Sequence, residues 1–467
     1  MKKSKSINRY KELIDSYQEM LESLQDCLRI KSVSGSKSEI QKALQYYLDL
    51  AKQMGFKAKN INNLGGIVEY GEGEKTLGIA VHLDVVPEGS GWTFPAYEGQ
   101  IKDGKIYGRG AMDNKGPAIA VLYALKALKE GGKKPNCKIQ IIIGIDEETI
   151  WELSPKLLET ITEPDFTIVP DSKFPIVIAE KGLLWLELKK DFKSPASSEN
   201  QSEIIVAKLQ GGDSLNIVPD YCEAVLKIPS GHEGEIEQEL KAFQVQNKFA
   251  IKLENSNQNL KLLSYGQAAH SFACEGGKNA ISQLVLFLSR LEIRKEQKEF
   301  LKTYASKIGL EHHGQSLGLA MEDTLTGKLT INPAFLTLDE NSAVLRLDIR
   351  FPAGEELPEV LEKTNSAFKC FKAEQKVLDS LPSLSFAEDD ERIQKLLQVY
   401  KDYTGDQGAK PLGMGGTTFA KAFQRAVAFG PAFSGQPKVE HQPDEYIEIE
   451  HLKQLAEIYA LALDELT

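Results

Sequence analysis

The sequence predicts an α/β domain built on a mostly parallel sheet and interrupted by a second, α+β domain. Three observations favour this architecture. Short apolar runs typical of buried strands alternate with helical segments up to about residue 181. From Gly182 the strands instead alternate apolar and polar residues, and from about Ser385 long helical patterns return. We therefore predict a first domain formed by residues 1–181 and 385–467, with residues 182–384 inserted.

The helices of the first domain are predicted from spacing and end signals. Apolar residues recur at helical spacing over residues 7–28, which predicts one amphipathic helix. The capping-box pattern Ser36-x-x-Glu39 predicts the start of a second helix that closes near Gly55. Residues 117–130 predict a helix with proline in its first turn, and a final helix is expected from about Glu450.

The strands are predicted from short apolar runs. In the first domain these are "GGIVEY", "LGIAVHL", "CKIQIIIGI", "FTIVPDS" and "AVAFGPA", and "IKDGKIY" predicts a hairpin around Asp103-Gly104. In the inserted domain "LLWLELKKDF" and "VLRLDIRF" predict strands, and "NAISQLVLFLSRL" predicts a helix. Polar stretches at residues 191–203 and 254–259 are expected to be loops.

Composition narrows the class of protein. A chain of 467 residues with 42% apolar residues can form two or three globular domains. The formal net charge of −11 argues against nucleic acid or an anionic membrane as a partner. Five cysteines, odd in number and far apart, indicate neither a disulfide framework nor a thiolate metal site. With no apolar run of the ~18 residues of a membrane helix and no secretory signal, a cytoplasmic location is expected.

Acidic and imidazole side chains lie just beyond several predicted strands or in nearby loops. Each one alone has an ordinary interpretation as a helix cap, a turn residue or a solvated surface group. In open α/β sheets, however, ligands bind beyond the carboxyl ends of the strands, so we expect these side chains to converge. The residues are His82, Asp84, Asp113, Glu147, Glu148, Asp171 and His441.

Such a cluster needs cations. Burying several carboxylates without them costs several kcal/mol per ion, which is large against a typical domain stability of about 5–15 kcal/mol. Oxygen and imidazole ligands without thiolates suit zinc, manganese or cobalt. His82 and Asp84 are two residues apart, so the acid could orient the imidazole if the strand continues that far.

A set of motifs spread along the chain resembles a known family. They are "VHLDVVP", "GRGAMDNKGP", "DEE", "VPDS.FP", "GQAAHSF", "NIVPD", "DIRFP" and "HQPDEY". Together they resemble the di-zinc amidohydrolases of the aminoacylase and carboxypeptidase type, metallopeptidase family 20. The length and "FPIVIAEKG" are most similar to its PepV-like dipeptidase branch. The resemblance implies a metal-binding catalytic domain interrupted by a ferredoxin-like lid. At about 200 residues, the lid is long enough to be duplicated.

The resemblance also implies the metal ligands. By it, His82 and Asp171 would hold one metal, Glu148 and His441 the other, and Asp113 would bridge both. The two ions would be divalent, with zinc expected first and manganese or cobalt as alternatives. Three carboxylates would leave one positive charge on the two ions, and a bridging hydroxide would cancel it. Metal coordination lowers the pKa of water from 15.7 to roughly 7, so such a hydroxide is accessible near neutral pH.

Two further roles follow for the residues beside these ligands. Adjacent side chains diverge, so Glu148 could bind a metal while Glu147 acts as the general base toward the substrate. Asp84 would support the ligands from behind rather than bind a metal itself.

The resemblance assigns substrate contacts to the lid. His270 would stabilise the oxyanion, and Arg350 would clamp the C-terminal carboxylate of the substrate with Asn216 nearby. The run "GMGGTT" precedes a predicted helix, and Gly415 within it would offer backbone donors to the same carboxylate. The alternatives are that His270 is a helix-cap or core residue and that Arg350 is a surface charge.

Several other sequence features do not indicate a functional site. "GLEHHGQS" lacks the lysine of a phosphate loop, and His232, His312, His313 and His451 are expected to be solvated. Related dipeptidases carry Thr-Asp before the acidic pair and Ser-Gly-Trp after it. This chain has Ile-Asp before the pair and Thr-Ile-Trp (residues 149–151) after it, which leaves the preferred substrate side chain open. The family pattern also implies a cis peptide bond between Asp113 and Asn114.

The expected function is metal-dependent hydrolysis of unblocked dipeptides. One alternative is an N-acyl amino acid deacylase such as a succinyl-diaminopimelate desuccinylase, and another is a non-catalytic metal- or peptide-binding protein. The expected partner is a small peptide substrate. A duplicated lid would supply both His270 and Arg350 within one chain, which favours a monomer, with a homodimer as the alternative.

Overall fold

The computed structural model describes residues 2–149, 152–193, 203–229, 231–256 and 259–467. Its chain forms two compact units. The first unit comprises Met1–Ile178, Phe386–Gly413 and Thr418–Thr467, and the second comprises Ala179–Ser385 with Met414–Thr417. Most of the loop predicted at 191–203, part of that at 254–259, and Ile150 and Trp151 after the acidic pair lie outside the described residues.

The first unit is an α/β structure, as predicted, with parallel strands at the centre of its sheet. Four neighbouring strands run parallel, and antiparallel strands flank them on both sides. In spatial order the strands are Lys57–Asn60, Gly66–Tyr70, Lys138–Gly144, Thr76–His82, Phe166–Val169, Ala426–Ala428 and Val177–Glu180. The central strands are buried along nearly their whole length, which is why their sequences are continuously apolar.

Helices cover this sheet. They are Lys2–Asp15, Glu19–Arg29, Lys37–Gln53, Lys115–Glu130, Ser154–Thr160, Glu391–Thr404 and Ile449–Leu466. Lys115–Glu130 is buried almost all round because it packs against the last helix, the two N-terminal helices and a central strand. The predicted hairpin is present as Gln100–Lys102 and Lys105–Tyr107, with Asp103 and Gly104 both at positive φ. Smaller strands are Ser172–Lys173, Leu412–Met414, Pro431–Ala432 and Tyr446–Glu448.

The prediction of one N-terminal helix is wrong. The chain forms two helices that break at residues 16–18, although the apolar spacing continues through the break. The first helix packs on Ile449–Leu466, whereas the second packs on Lys37–Gln53, and both also contact Lys115–Glu130. Different packing partners therefore override a periodicity that carries no breaking residue.

The second unit is built on one eight-stranded antiparallel sheet with helices and short turns. In spatial order the strands are Ala250–Ser256, Asn259–Tyr265, Tyr221–Lys227, Ile205–Gly211, Thr330–Asp339, Ser342–Phe351, Gly182–Asp191 and Glu374–Leu381. Its α-helices are Glu233–Asn247, Ala280–Leu288, Lys295–Lys307 and Leu357–Phe368. Two four-stranded halves meet where Ile205–Gly211 pairs with Thr330–Asp339. Its shorter elements are the strands Glu322–Asp323, Gly327–Lys328 and Leu384–Ser385, and the 3₁₀ helices Ser271–Gly276, Gln315–Leu317 and Lys369–Phe371.

Within the described part of the chain, no helix combines the length and the apolar character that crossing a membrane requires.

Candidate metal centre and substrate-binding residues

The parallel strands of the first unit bring several predicted ligands to one edge of the sheet. His82 is the last residue of Thr76–His82, and its Cα lies opposite that of Gly144, the last residue of the neighbouring strand. The acidic pair follows that neighbour, and Asp171 follows the strand Phe166–Val169 on the other side. Because parallel strands end at the same edge, residues far apart in sequence meet there.

The first group of candidate ligands contains His82, Asp113 and Asp171. Nε2 of His82 lies 3.0 Å from Oδ1 of Asp113 and 3.7 Å from Oδ1 of Asp171. All the potential ligand atoms of this group lie within 4.8 Å of one another. That spacing is what one shared cation would require.

The second group contains Asp113, Glu148 and His441. Nε2 of His441 lies 3.1 Å from Oδ2 of Asp113 and 3.0 Å from Oε1 of Glu148. Asp113 therefore directs one carboxylate oxygen to each histidine. The two groups share this single carboxylate, which is the arrangement expected of a bridging ligand.

The charges of these groups are unbalanced without cations. Burial, and then the neighbouring Asp113, raise the pKa of Glu148 to about 7. Burial and the carboxylate of Asp171 raise the pKa of Glu147 well above its usual value. Although burial opposes it, contact with Asp113 and Glu148 raises the pKa of His441 to about 11. The cluster thus holds protons where cations could replace them, and its oxygen and imidazole donors fit divalent metal ions.

Hydrogen bonding fixes the tautomer of the neutral His82 ring. Its Nδ1 lies 3.0 Å from the backbone carbonyl oxygen of Asp84, which can only accept a hydrogen bond. The proton of the neutral ring therefore lies on Nδ1, and Nε2 presents its lone pair toward Asp113 and Asp171. Oδ1 of Asp84 lies 3.5 Å from the same Nδ1, so the carboxylate that we expected to orient the ring also lies close to it.

The carboxylate of Asp84 also binds the backbone of the acidic pair. Its two oxygens accept hydrogen bonds from the backbone N–H groups of Glu147 and Glu148, each at 3.1 Å. The hydroxyl of Ser34 donates a third bond at 2.8 Å. Asp84 is fully buried, and although burial opposes it, contact with His82 lowers its pKa. Asp84 therefore fixes the backbone of the acidic pair, which sequence reasoning did not foresee.

The three consecutive acids after the strand Lys138–Gly144 separate into three roles. Asp146 accepts hydrogen bonds from the backbone N–H and the hydroxyl of Ser154, at the start of the helix Ser154–Thr160. Glu147 points toward the first group, with Oε2 4.0 Å from Nε2 of His82. Glu148 points to His441 in the second group. Neighbouring residues therefore serve different sites, as alternation along the chain predicts.

Glu445 is a buried residue of this region that sequence reasoning missed. Its Oε1 accepts hydrogen bonds from the backbone N–H groups of Met112 and Asp113, at 2.9 and 3.1 Å. Its Oε2 pairs with Nη1 of Arg109 at 2.6 Å. Glu445 stands four residues after His441, so one side chain ties the segments that carry two candidate ligands. An acid inside "HQPDEY" was the available signal.

The predicted cis peptide bond is present between Asp113 and Asn114. The amide of Asn114 donates to the carbonyl oxygen of Pro170 at 2.6 Å, and this contact joins the loop to the segment of Asp171. By contrast, the prediction that His451 is solvated is wrong. It is buried in the last helix, with Nε2 2.9 Å from the carbonyl oxygen of Pro431.

In the second unit, Asn216 and His270 lie on adjoining backbone segments. Ile217 and His270 form an antiparallel bridge, and the N–H of Ser271 donates to the carbonyl oxygen of Asn216 at 2.9 Å. Nδ1 of His270 accepts a hydrogen bond from the N–H of Phe272, so the ring proton lies on Nε2. His270 does cap the turn Ser271–Gly276, as the alternative proposed, and this contact makes Nε2 a donor.

Arg350 is also in the second unit and is buried, so the alternative of a surface charge is wrong. Its Nε and Nη2 donate to the two carboxylate oxygens of Asp348, at 2.7 and 3.0 Å, and Nη1 donates to the hydroxyl of Thr417. Gly415 packs so closely on Phe272 that an added Cβ would lie 2.9 Å from the Cβ of Phe272. The helix predicted after this glycine run is only the four-residue 3₁₀ turn Phe419–Ala422. The N-terminus of a longer helix is therefore not available to add donors beside Gly415.

Comparison with known proteins identifies the family. Residues 78–465 match the model of "Peptidase family M20/M25/M40". The chain is 33% identical to the "Putative dipeptidase YtjP" of Bacillus subtilis over 95% of this chain and 96% of that protein. It is 32% identical to the "Beta-Ala-Xaa dipeptidase" of Lactobacillus delbrueckii subsp. lactis, covering 91% of this chain and 89% of that one.

Solved structures support the fold at lower sequence identity. The M20 family metallo-carboxypeptidase Sso-CP2 of Sulfolobus solfataricus aligns with a TM-score of 0.57 at 18% identity, over 96% of this chain and 100% of that one. The dipeptidase Dug1p of Saccharomyces cerevisiae aligns with a TM-score of 0.57 at 13% identity, over 98% of each chain. The chain therefore belongs to peptidase family M20/M25/M40 and is a hydrolase of peptide bonds.

Proposed function

We propose that this protein is a metal-dependent dipeptidase that hydrolyses unblocked dipeptides. One observation carries the proposal: the two carboxylate oxygens of Asp113 contact Nε2 of His82 and Nε2 of His441, at 3.0 and 3.1 Å. A carboxylate shared in this way would suit a pair of cations, one held by each group. Relatives named as dipeptidases, at 33% and 32% identity, support a two-residue substrate.

The proposed ligands are His82 and Asp171 for one cation, Glu148 and His441 for the other, and Asp113 for both. When bound, two divalent cations would lower the pKa of water to roughly 7 and polarise the scissile carbonyl. Zinc is the proposed metal because tetrahedral sites of nitrogen and oxygen donors suit it, and manganese and cobalt are the alternatives.

Glu147 is proposed as the general base. Its carboxylate lies 4.0 Å from Nε2 of His82, and its backbone is held by Asp84, so it is fixed beside the first group of ligands. There it can take a proton from the attacking water and hand that proton to the leaving amine. In the metal-free protein burial and Asp171 raise the pKa of Glu147, and cations bound beside it would favour the charged form that accepts a proton.

We also propose substrate contacts for the second unit, residues 179–385 with 414–417, which corresponds to the lid predicted from the sequence. His270 would donate from Nε2 to the oxyanion, a kind of contact worth about 3–4 kcal/mol in other enzymes. Arg350, assisted by Asn216 and the backbone of Gly415, would bind the C-terminal carboxylate of the peptide. The tautomer of His270 and the burial of Arg350 against Asp348 support these roles.

The experiment is a substrate panel with metal add-back. Purified protein is stripped of metal, reloaded with zinc, manganese or cobalt, and assayed on α-linked and β-Ala dipeptides and on N-acetyl and N-succinyl amino acids. We expect cleavage of unblocked dipeptides only. Preferential cleavage of the N-acylated substrates would instead favour the deacylase, and no cleavage of any amide would favour a binding protein.

We further propose that the enzyme works as a monomer in the cytoplasm. Its five cysteines are all free, and four of them are buried, which suits a reducing compartment. Light scattering of the purified protein would test the oligomeric state, and a mass near twice 51.8 kDa would favour the homodimer.

A further inference from the structure

Two segments of the second unit carry Asn216 and His270, and a side chain from a third segment contacts both. That side chain is Asn332, in the strand Thr330–Asp339, and it is 1% exposed. Its Nδ2 donates to the backbone carbonyl oxygen of Ile217 at 2.9 Å and to the hydroxyl of Ser271 at 2.7 Å. Ile217 directly follows Asn216, and Ser271 directly follows His270.

Few backbone hydrogen bonds join these two segments. The N–H of Val218 donates to the carbonyl oxygen of Ala269 at 2.8 Å, and the N–H of Ser271 donates to that of Asn216 at 2.9 Å. The bridge between Ile217 and His270 is isolated and belongs to none of the strands. A short pairing of this kind opens easily unless side chains reinforce it.

Only an amide can make the contacts of Asn332. A backbone carbonyl oxygen accepts and never donates, so the group facing Ile217 must be the NH₂. The Oδ1 of Asn332 in turn accepts from Nδ2 of Asn279 at 3.2 Å, and that amide also donates to the carbonyl oxygen of Pro333. Asn279 caps the helix Ala280–Leu288 through the N–H of Ser282. A chain of hydrogen bonds thus connects the start of the helix Ala280–Leu288 with the two segments that carry Asn216 and His270.

The same face of the sheet also supports Arg350. Asn332 and Asp348 are directly opposite residues of two paired strands, so their side chains point to the same face. Asp348, which is fully buried, holds the guanidinium of Arg350 with two hydrogen bonds. Two opposed buried residues therefore support the three side chains proposed to contact substrate.

We propose that Asn332 is a positioning residue that fixes Asn216 and His270 for substrate binding and oxyanion stabilisation. This inference rests on the proposed function. Asn332 contacts the backbone and hydroxyl groups beside those residues, and it acts through them rather than on the substrate. Loss of its amide would leave a buried carbonyl oxygen without its donor and would free the loop that carries His270.

A matched control exists in the same unit. Gln297 is fully buried and, like Asn332, donates two hydrogen bonds and accepts one. Its partners are Val206 and Asp339, neither of which lies in the two segments, and Asp339 is at the opposite end of the strand Thr330–Asp339 from Asn332. Asn332→Ala and Gln297→Ala therefore remove the same number of buried hydrogen bonds, and only the first touches the proposed substrate contacts.

The experiment is a double-mutant cycle on the metal-loaded enzyme. We expect Asn332→Ala to lower kcat by about 10- to 100-fold, the range seen when a partner that orients a functional group is lost. In the His270→Ala background the same substitution should cost less than about 3-fold, because no ring remains to be positioned. Gln297→Ala should leave kcat unchanged below its unfolding temperature. An equal loss of kcat with and without His270 would overturn the proposal.

A second measurement does not depend on activity. In protein labelled with ¹⁵N-histidine, the ring signals of His270 are assigned by their loss in His270→Ala. We expect Asn332→Ala to shift or broaden these signals while those of the exposed His232 stay in place. Unchanged His270 signals in Asn332→Ala would refute the positioning role even if the protein cleaved no dipeptide, and failure of the proposed function would show separately as inactivity of the unmodified enzyme.

Discussion

The candidate metal centre of the first unit and the His270 region of the second unit are held together by different forces. In the first, carboxylates and imidazoles contact one another directly, as His441 contacts Asp113 and Glu148. In the second, the joining groups are neutral amides, hydroxyls and backbone atoms, with Asn332 at the centre. The first is therefore sensitive to protons and cations, and the second to the loss of a single hydrogen-bonding group.

This difference separates two tasks of a hydrolase. A centre that activates water needs concentrated negative charge to hold cations, and it remains unbalanced until the cations are bound. A surface that recognises a peptide needs fixed donors whose geometry does not change with pH. In the proposed function, Glu147 and Glu148 would serve the first task, and the segments around Asn216 and His270 would serve the second.

The largest effect is expected from removing the proton acceptor of the first region. Glu147→Gln keeps the size of the side chain and the backbone bond to Asp84, but the amide cannot take a proton. We expect kcat to fall by about 10²- to 10⁴-fold, the usual contribution of a general base, with metal content unchanged. Steady-state kinetics and metal analysis check this. The matched control is Glu152→Gln, an exposed acid five residues away, and undiminished turnover in Glu147→Gln would remove the assigned base.

The next largest effect is expected from Glu445, which supports the backbone of the candidate ligand Asp113. Glu445→Gln keeps the side-chain shape but removes the charge that pairs with the buried Arg109. We expect metal affinity to fall by about 10- to 100-fold and stability by roughly 3–5 kcal/mol, because a buried guanidinium is left unpaired. Chelator competition and denaturant unfolding measure the two quantities.

The control for that experiment is an ion pair at the surface. Lys227 and Glu340 form an exposed pair in the second unit, and Glu340→Gln should change metal affinity and stability by little. Equal metal affinity in Glu445→Gln and in the unmodified protein would show that the loop of Asp113 holds its ligand without Glu445.

The two candidate ligand groups were predictable because the chemistry and the location of their residues agree. Histidine and carboxylates after apolar strands indicate a metal site, and all five proposed ligands fall into the two groups that the structure brings together. What the sequence could not predict is which atoms support them. Glu147 and Glu148 are 63 and 64 residues away from Asp84 in sequence. The carboxylate of Asp84 meets their N–H groups only because the two strands that precede these residues lie side by side.

The other features that the sequence did not predict also depend on contacts between residues far apart in the chain. Asn332 lies in a strand whose sequence carries no polar motif, and it donates to a backbone carbonyl oxygen 115 residues away and to a hydroxyl 61 residues away. The break between the two N-terminal helices follows from packing against different neighbours, which the local spacing does not encode. Long-range hydrogen bonds and packing choices are properties of the folded chain, whereas ligand type and strand ends are visible locally.

A smaller effect is expected from changing Arg350 in the second unit. Arg350→Lys keeps the positive charge but loses the planar fork that Asp348 holds with two hydrogen bonds. We expect kcat/KM for dipeptides to fall by about 10-fold, mainly through KM, with no change in metal affinity. Arg346→Lys, on the same strand but half-exposed, is the control. A fall in kcat without a rise in KM would argue against carboxylate binding by Arg350.

The smallest effect is a pH dependence that only the first region should show. In the metal-free protein the raised pKa of Glu148, about 7 against 4.5, stabilises the fold below pH 4.5, and this contribution is lost as pH rises to 7. The raised pKa of His441, about 11 against 6.5, acts in the same direction above pH 6.5. The lowered pKa of Asp113 changes stability only below its usual range, so it does not oppose this trend.

Metal binding has the opposite pH dependence, because cations compete with protons for the same ligands. Between pH 5 and 8 we therefore expect the Tm of metal-free protein to fall by about 5 °C, since 1 kcal/mol corresponds to about 2–4 °C in domains of this size. The increase in Tm on adding zinc should grow over the same range. Differential scanning fluorimetry with and without chelator measures both, and His232→Ala, at an exposed histidine, should leave both slopes unchanged. A metal-free Tm that is flat or rises with pH would mean that the buried carboxylates are balanced by groups other than cations.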